Sequence, residues 1–364
     1  MYNWQHKEWP NFSYKVEKLQ EITILFAQEF GLVNGLVLGL NEKLKQETML
    51  EILISEAIKT SEIEGEYMSR EDVMSSIKNN LGIKPTLIVK DKRASGIAKL
   101  MLEVTQDINQ YLNLEKILRW HKILMEYDSK IHAGEWRKGI EHMQVVSGAY
   151  GREIVHYEAP PSENIPAEME NFMVWYHSEL PVKDDISKAL LKSAIAHLYF
   201  ESIHPFEDGN GRIGRTLAEF TLSQGLKSSA LLSMSKTIEQ DKNKYYNQLK
   251  CAQRSLDITD WVNYFAQMIL DAQKDARELI QFTLKKAKFF DKYEKQLNVR
   301  QLKAILRMLE NGNAGFEGGM TAKKYIAITK TSKATATRDL QELHEWGVFT
   351  KEGAGRSVRY ELVL

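Results

Sequence analysis

Apolar residues recur at helical spacing along most of this 364-residue chain, and that periodicity limits its fold more than any other feature. The pattern predicts one helix over about residues 14–29 and another over about residues 41–64. Ser69 lies three residues before Asp72, which indicates a capped start for a further helix. Because the same spacing continues through residues 97–127, 167–203 and 215–290, we expect a mainly α fold.

Two short stretches instead have an extended pattern. Residues 142–161 contain two runs typical of strands around the turn at residues 147–151, followed by Pro160 and Pro161, which predicts a β-hairpin and then a loop. Three helical patterns near the end of the chain precede a second hairpin at residues 353–355. That order is typical of a winged-helix domain and predicts a boundary within residues 289–298. We expect domains at residues 1–110, 111–285 and 291–364.

Composition excludes several classes of protein. The formal net charge is zero, which argues against a chain that coats nucleic acid or an anionic membrane. Cys251 is the one cysteine, so an intramolecular disulfide is impossible, as suits a reducing compartment. The first residues lack the pattern of a signal peptide, and the apolar run at residues 31–40 is too short to span a bilayer. We therefore expect a soluble, cytoplasmic protein without a membrane partner.

The stretch HPFEDGNGRIGR at residues 204–215 carries most of the chemistry. It joins two predicted helices, and the start of a helix exposes unpaired N–H groups that bind anions. Glycines let the backbone turn tightly and approach a phosphate, and arginine side chains suit phosphate oxygens. The phosphate-binding residues expected on these grounds are Gly209, Asn210, Gly211, Arg212 and Arg215.

The same stretch supplies a base and acids. His204 is suited to remove a proton from an attacking hydroxyl. Asp208 or Glu207 could help to hold a divalent cation beside a polyphosphate. Each residue alone is common in ordinary loops and helix faces, but all of them at fixed spacing indicate one phosphate-handling site.

These residues match every defined position of HxFx(D/E)GNGRxxR, so the chain resembles the Fic family. The resemblance implies an all-helical Fic fold with a β-hairpin flap, and transfer of AMP from ATP, with Mg²⁺, to a Ser, Thr or Tyr hydroxyl of a target protein. It implies that His204 is the base, that Asp208 binds the metal, and that Arg212 and Arg215 hold the outer phosphates. Relatives that transfer the terminal phosphate carry lysine at the position of Arg212, so arginine favours nucleotidyl transfer.

The stretch TSEIEG at residues 60–65 is similar to the family's inhibitory motif (S/T)xxxE(G/N). Thr60, Glu64 and Gly65 occupy its defined positions, and Gly65 also suits the end of a helix. The resemblance implies that Glu64 pairs with Arg215 and blocks the productive pose of ATP. An ordinary exposed helix end is the alternative.

Three further features correspond to parts of Fic proteins. Residues 151–161 resemble the flap, which docks a target segment as an added strand. Tyr245 and Tyr246 match a tyrosine pair near the nucleotide, although core packing is nearly as expected for one of them, and Gln253 stands where relatives can have asparagine. The N-terminal residues Trp4, Trp9 and Phe12 resemble the start of a helical domain often fused to Fic cores, and most simply pack together. The additional candidate contacts of ATP are Val155, His156, Tyr157, Glu158, Tyr245, Tyr246 and Gln253.

Alternatives to AMP transfer remain open. The segment 291–364 has 13 Lys and Arg against 9 Asp and Glu, so it is mildly basic. Its helix SKATATRDL could read DNA while Arg356 and Arg359 touch phosphate, or the segment could bind protein or form a homodimer. The chain could thus be a DNA-binding regulator whose Fic core senses nucleotide. It could also remove AMP from a modified target, or modify itself.

Overall fold

The computed structural model describes residues 1–84, 88–139, 143–147, 154–310, 312 and 315–364. The described residues form fourteen α helices and two antiparallel pairs of short strands, as the helical periodicity predicts. The elements of the first half are α1 Glu17–Leu38, α2 Glu42–Ile63, α3 Arg70–Asn80, α4 Lys92–Gln106, α5 Leu114–Met125, β1 Gln144–Ser147, β2 Ile154–Glu158, α6 Ile165–His177 and α7 Asp185–Ile203.

The second half is also helical until its last residues. Its elements are α8 Asn210–Leu226, α9 Met234–Gln240, α10 Lys242–Ala252, α11 Thr259–Tyr293, α12 Val299–Leu309, α13 Ala322–Thr329, α14 Lys333–Glu345, β3 Phe349–Glu352 and β4 Arg359–Leu362. The last three helices and the hairpin appear in the predicted order. Ser69 accepts a hydrogen bond from the Asp72 N–H at 3.1 Å, so the predicted cap of α3 is present.

The chain forms two compact units. The first comprises residues 1–35 and 49–276, and the second comprises residues 36–48 and 277–364. Residues of α1, such as Leu19 and Phe26, lie in the same core cluster as Leu190 of α7 and Trp261 of α11. The N-terminal helices therefore share a core with the residues that follow them. The division at residue 276 falls within the uninterrupted helix α11 rather than near residues 289–298.

Helices α7 and α8 lie at the centre of the first unit. α7 is buried over most of its length, from Ser187 to Ile203. A Cβ added to Gly225 of α8 would come within 2.5 Å of the Ala189 Cβ, so the missing side chain permits a close approach of the two helices. The short connection between them contains residues 204–209, which are thus held between two packed helices.

The N-terminal segment is bound to this body by polar and aromatic contacts. Asn3 is fully buried and donates from Nδ2 to the Ser202 Oγ at 2.8 Å. The Trp9 ring packs edge-to-face on Phe12 and Tyr199. Trp4 donates from Nε1 to the Glu158 carbonyl at 2.7 Å. Trp9 and Phe12 thus pack as expected, and Trp4 anchors the end of β2.

Strands β1 and β2 pair antiparallel, with Gln144 opposite Glu158 and Ser147 opposite Ile154. The predicted hairpin is therefore present, although residues 148–153 of its turn lie outside the described part of the chain. In the second unit, β3 and β4 pair with Phe349 opposite Leu362. Its own apolar core includes Ile305 of α12, Tyr325 of α13 and Leu340 of α14.

Within the described residues, α1 is long and apolar enough to cross a membrane by length and composition alone. Its most apolar window has a mean hydropathy of 1.4 and is 22% buried. The helix extends well beyond the predicted end at residue 29, through Gly31 and Gly35. Leu19, Ile22 and Phe26 are buried in the core of the first unit, whereas Ile24 and Leu25 are exposed.

Candidate active site

The loop between α7 and α8 has a backbone fixed at both ends. His204 ends α7 in the left-handed region, at φ 51° and ψ 60°, and its N–H donates to the Phe200 carbonyl at 2.9 Å. Gly209 precedes α8 at φ 80°, a conformation that glycine adopts without strain. The loop therefore places His204 and the first N–H groups of α8 at one location.

Asn210 ties the loop to itself. Its Oδ1 accepts from the Phe206 N–H at 2.9 Å, and its Nδ2 donates to the Phe206 carbonyl at 2.8 Å. The side chain is 3% exposed. The sequence predicted an Asn210 donor for phosphate, but in this structure the amide is used to close the loop.

His204 is held in its neutral form. Its side chain is 14% exposed, and burial, followed by the positive charge of Arg137, lowers the pKa of the imidazole to about 4. Glu201, one turn earlier on α7, lies with Oε2 3.8 Å from the His204 Nδ1. A neutral imidazole can accept a proton at physiological pH, as the predicted role requires.

Arg137 is a site residue that the sequence did not reveal. The buried guanidinium donates from Nε to the His204 carbonyl at 2.8 Å, from Nη1 to the Ser162 Oγ at 2.8 Å and from Nη2 to the Pro160 carbonyl at 2.6 Å. Arg137 thus connects His204 to the residues that follow β2. Arg137 lies far from the signature with no helical or strand periodicity around it, so no pattern marks it.

His121 supports the loop from α5. Its Nδ1 accepts from the Gly134 N–H at 2.9 Å, so the neutral ring donates from Nε2 to the Asp208 carbonyl at 3.1 Å. Burial lowers the pKa of His121 to about 4, and its ring stacks on Phe206 with centroids 3.8 Å apart. The contacts of His121 are therefore structural.

The two acids of the loop differ in availability. The Asp208 side chain is 55% exposed, and its Oδ1 accepts from the Gly209 N–H at 2.5 Å. Glu207 instead bonds His132, with 3.1 Å between Oε1 and Nδ1. No group of three metal-binding side chains occurs among the described residues. The exposed carboxylate of Asp208 suits Mg²⁺, which keeps water and takes its remaining oxygens from phosphates.

The Arg215 side chain is buried in the first unit and hydrogen-bonds residues at the end of α2 and just after it. It donates from Nη2 to the Glu64 Oε1 at 2.7 Å and from Nε to the Thr60 Oγ1 at 2.8 Å. Its side chain is 1% exposed. Burial disfavours the charge on Glu64, but the charge and hydrogen bond of Arg215 hold the pKa of that carboxyl below its usual value. The predicted contact of Glu64 with Arg215 is therefore present.

Two glycines make this contact possible. A Cβ added to Gly211 would collide with the Glu64 Oε1, so the carboxylate rests directly on the first turn of α8. Gly65 ends the segment with φ 82°, as expected for a residue after a helix. The acceptor thus occupies the region in which a helix N-terminus would bind an anion.

Arg212 is bound by an acid that the sequence did not single out. Its Nη1 donates to the Glu66 Oε2 at 2.7 Å, and the Arg212 side chain is 2% exposed. Glu66 also accepts from the Tyr127 hydroxyl at 3.2 Å. Both arginines of the signature are therefore paired with acids from residues 64–66.

The four predicted nucleotide contacts on the flap differ in exposure. Val155 is 39% exposed, and His156 is partly buried and has a polar or ring contact of its own. Tyr157 is 2% exposed, and its hydroxyl donates to the Ser202 carbonyl at 2.6 Å. Glu158 accepts a bond from the Gln144 Nε2 at 3.2 Å across the hairpin. Because the Tyr157 ring faces the core, it supports the flap and is not available to a nucleotide.

The two adjacent tyrosines of α10 also differ in exposure. Tyr245 is 1% exposed, and 2.7 Å separates its hydroxyl from the His197 Nε2. Tyr246 is 38% exposed, with the Lys242 Nζ 5.7 Å from its ring centroid. Gln253 is 5% exposed and donates from Nε2 to the Glu201 carbonyl at 3.1 Å. Tyr246 alone of these three has a ring or amide open to an adenine in this structure.

Comparisons with known proteins agree with the signature. Residues 111–222 match the Fic/DOC family, and residues 2–83 match a domain of unknown function, DUF4172. The chain is 26% identical over 213 residues to the protein adenylyltransferase Fic of Aedes aegypti, covering 56% of this chain and 38% of that one. It is 25% identical over 264 residues to the protein of the same name from Drosophila yakuba, covering 69% and 49%. The chain thus spans less than half of each relative.

Solved structures show the same fold. A Fic family protein from Desulfovibrio desulfuricans has a TM-score of 0.57 and 19% identity, covering 97% of this chain and 98% of that one. A Fic domain containing signaling protein from Bacteroides thetaiotaomicron has a TM-score of 0.54 and 20% identity, covering 71% and 97%. The first similarity extends over nearly the whole chain, and both confirm the mainly α architecture.

Proposed function

We propose that the chain is a protein adenylyltransferase of the Fic family, which transfers AMP from ATP to a hydroxyl of a target protein. The match of residues 111–222 to the Fic/DOC family and the similarity to adenylyltransferases of that family support this proposal. The observation that carries this proposal is the joint placement of a neutral His204 with the buried Arg212 and Arg215 beside the N-terminus of α8. A base next to two fixed cations suits the attack of a hydroxyl on a polyphosphate.

In the proposed reaction, the target hydroxyl oxygen forms a bond to the α-phosphorus of ATP. His204 accepts the hydroxyl proton, and the bond between the α-phosphorus and the bridging oxygen breaks to release pyrophosphate. Negative charge grows on the phosphate oxygens, where N–H groups of α8 and the two arginines stabilise it. Removal of a general base of this kind lowers a rate by roughly 10²–10⁴.

Asp208 is the residue suited to hold Mg²⁺, because its carboxylate is exposed whereas that of Glu207 is bound to His132. Such a cation would neutralise phosphate charge. Tyr246 offers an exposed ring edge and face for adenine. The hairpin of β1 and β2 is suited to receive the target segment as an added strand.

Regulation of the proposed enzyme follows from the pair of Glu64 and Arg215. The guanidinium that would hold the terminal phosphate is occupied by a carboxylate, so ATP must displace Glu64 to bind productively. The proposed protein is therefore self-inhibited, and movement of the end of α2 would activate it.

The test is the intact mass of the full chain after incubation with ATP and Mg²⁺. We expect the Glu64→Gly variant to gain one or more AMP units and the wild type to gain fewer. The matched control, Glu64→Gly with His204→Ala, should gain none. A gain of phosphate would contradict nucleotidyl transfer, and equal labelling with His204→Ala would contradict the role of the base. Loss of AMP from a previously modified target would favour the removal reaction instead.

A second candidate function is DNA binding by the second unit. α14 exposes a polar and basic face that includes Lys333, Thr337 and Arg338. Arg359 of the predicted wing is paired with Glu352 at 2.7 Å, so its charge is locally balanced, and the Arg356 side chain lies outside the described part of the chain. The helix rather than the wing therefore favours this candidate.

A further inference from the structure

We propose that Glu66 is a second inhibitory carboxylate, which occupies Arg212 while Glu64 occupies Arg215. Residues 64–66 then block both phosphate-binding arginines at the same time. The inference rests on the proposed function, because it concerns ATP binding at the same site.

The ion pair of Glu66 and Arg212 is short and enclosed. The Glu66 Oε2 lies 2.7 Å from the Arg212 Nη1, and the side chains are 21% and 2% exposed. Ion pairs in such surroundings are screened little by water and salt. A phosphate that requires the charge of Arg212 must therefore displace this carboxylate.

The remaining groups of Arg212 lack comparable partners. Its Nη2 reaches the Met125 Sδ at 3.5 Å and the Asp208 Oδ1 at 3.6 Å, which are weaker contacts. Its buried Nε has no hydrogen-bond partner in the described part of the chain. Within those residues Glu66 is thus the principal acceptor for this cation, in the place that a phosphate oxygen would take.

The segment that carries Glu66 is held in position from both sides. The Tyr127 hydroxyl, just beyond α5, donates to the Glu66 Oε1 at 3.2 Å. On the other side, Arg93 of α4 donates from Nη2 to the Tyr67 carbonyl at 3.3 Å. Gly65 supplies the turn that lets two acids two positions apart reach two arginines three positions apart. The geometry is therefore specific to this turn and does not depend on a flexible surface acid.

Because the two arginines have separate acidic partners, removing one acid relieves only part of the inhibition. Removing Glu64 frees Arg215 only, and Arg212 keeps its negative partner next to the incoming polyphosphate. Like charges placed side by side at a binding site weaken binding strongly. The Glu64→Gly variant is therefore expected to be partly inhibited still, and loss of both acids is required for full opening.

The binding test uses the full chain with His204→Ala, which removes turnover. Titration calorimetry with ATP and Mg²⁺ should show binding about ten-fold tighter after Glu66→Gln, because the change removes charge and keeps the shape. Glu62→Gln is the matched control, since Glu62 pairs with Lys59 at 2.5 Å in the same segment. Its affinity should equal that of the parent. Unchanged or weaker binding after Glu66→Gln would show that Glu66 only positions Arg212, and would overturn the inference.

A second variant guards against a folding defect. Tyr127→Phe leaves both charges in place and removes a hydroxyl that contacts both Glu66 and Arg212. Because it weakens the support of this ion pair, it should tighten ATP binding by a smaller factor with an unchanged melting temperature. Weaker ATP binding in this variant would count against the inference.

The activity test separates the inference from the proposed function. We expect the rate of AMP transfer to increase in the order wild type, Glu64→Gly, and Glu64→Gly with Glu66→Gln. If the binding results hold and no variant transfers AMP, the proposed reaction is wrong while the second inhibitory carboxylate stands. If AMP is transferred and Glu66→Gln changes neither rate nor affinity, the proposed reaction stands and the second inhibitory carboxylate is wrong.

Discussion

At the scale of single residues, the site depends on groups held in one protonation state. His121, His197 and His204 are all buried, and burial lowers their pKa values to about 4, 3 and 4. Neutral His204 can accept a proton, and neutral His121 can both accept and donate a hydrogen bond to hold Asp208 in place. Burial thus prepares the base and its support together.

This state predicts a specific pH dependence. At pH 5.5 the imidazoles of His121, His197 and His204 should remain neutral, whereas an ordinary histidine is mostly charged. The unfolded chain takes up these protons below about pH 6.5 and the folded chain only near pH 4. Their contribution to stability is therefore lost as the pH falls through that window, by about 1.4 kcal/mol per group and pH unit.

The measurement is a ¹⁵N spectrum of labelled imidazoles between pH 4 and 8, with His204→Ala to assign the signal. A His204 resonance that titrates near pH 6.5 would contradict the prediction. The rate of AMP transfer by the Glu64→Gly variant, measured against pH, should likewise fall only near pH 4, where His204 becomes protonated.

The sequence predicted a contact between two residues correctly where both residues belong to motifs of the same family. The contact of Glu64 with Arg215 was predictable because both positions belong to known patterns of one family. Glu66, Arg137 and His121 were not, since their partners lie 146, 67 and 87 positions away and no spacing rule joins them. Tyr245 and Tyr246 show another limit: adjacent helical residues point in different directions, and the sequence does not say which faces the core.

At the scale of elements, α2 leads into the proposed inhibitory residues and has an anchor of its own. Glu56 is 3% exposed and accepts from the Ser233 hydroxyl at 2.7 Å and the Ser235 N–H at 2.9 Å. The Ser235 hydroxyl donates to the same carboxylate, and Lys242 bonds the Ile63 carbonyl at the end of the helix. The start of α9 thus holds α2 in the position that places Glu64 and Glu66.

Weakening this anchor should release inhibition without touching the site. Ser235→Ala removes one hydrogen bond to a buried carboxylate, which costs about 1–3 kcal/mol. We expect a lower melting temperature together with faster AMP transfer than in the wild type. Ser178→Ala is a suitable control because, among the residues that the structure describes, that hydroxyl bonds only the Trp175 carbonyl at the end of its own helix. A lower melting temperature with unchanged or slower transfer would show that the anchor stabilises the fold without restraining α2.

The helices themselves were largely predictable because their apolar spacing is regular. The predicted second helix, residues 41–64, corresponds to α2 at Glu42–Ile63. The first was predicted too short, because Gly31 and Gly35 suggest an end that packing overrides. Boundaries between compact units were not visible, since α11 passes from one unit to the next without a change in composition.

At the scale of the whole molecule, the chain combines the unit that carries the candidate active site with a second compact unit. The second unit has its own core and the order of three helices and a hairpin. Its candidate DNA-binding face on α14 can be tested in the full chain. We expect Lys333→Glu with Arg338→Glu to weaken DNA binding about ten-fold and to reduce its salt dependence. Fewer phosphate contacts mean that fewer counterions are released when DNA binds.

The control for that experiment is Lys183→Glu, an exposed charge change in the first unit. AMP transfer by the Glu64→Gly variant should be unaffected by either change. If the wild-type chain does not bind DNA at low salt, the DNA-binding candidate is wrong.

The guanidinium of Arg137 has a mechanical consequence. It links the Pro160 carbonyl and the Ser162 hydroxyl, just after β2, to the carbonyl of His204. A force on the hairpin is therefore transmitted to the backbone of His204, the proposed base, through one rigid planar group. In the proposed enzyme, a target that docks on the hairpin would act on the proton acceptor by this route.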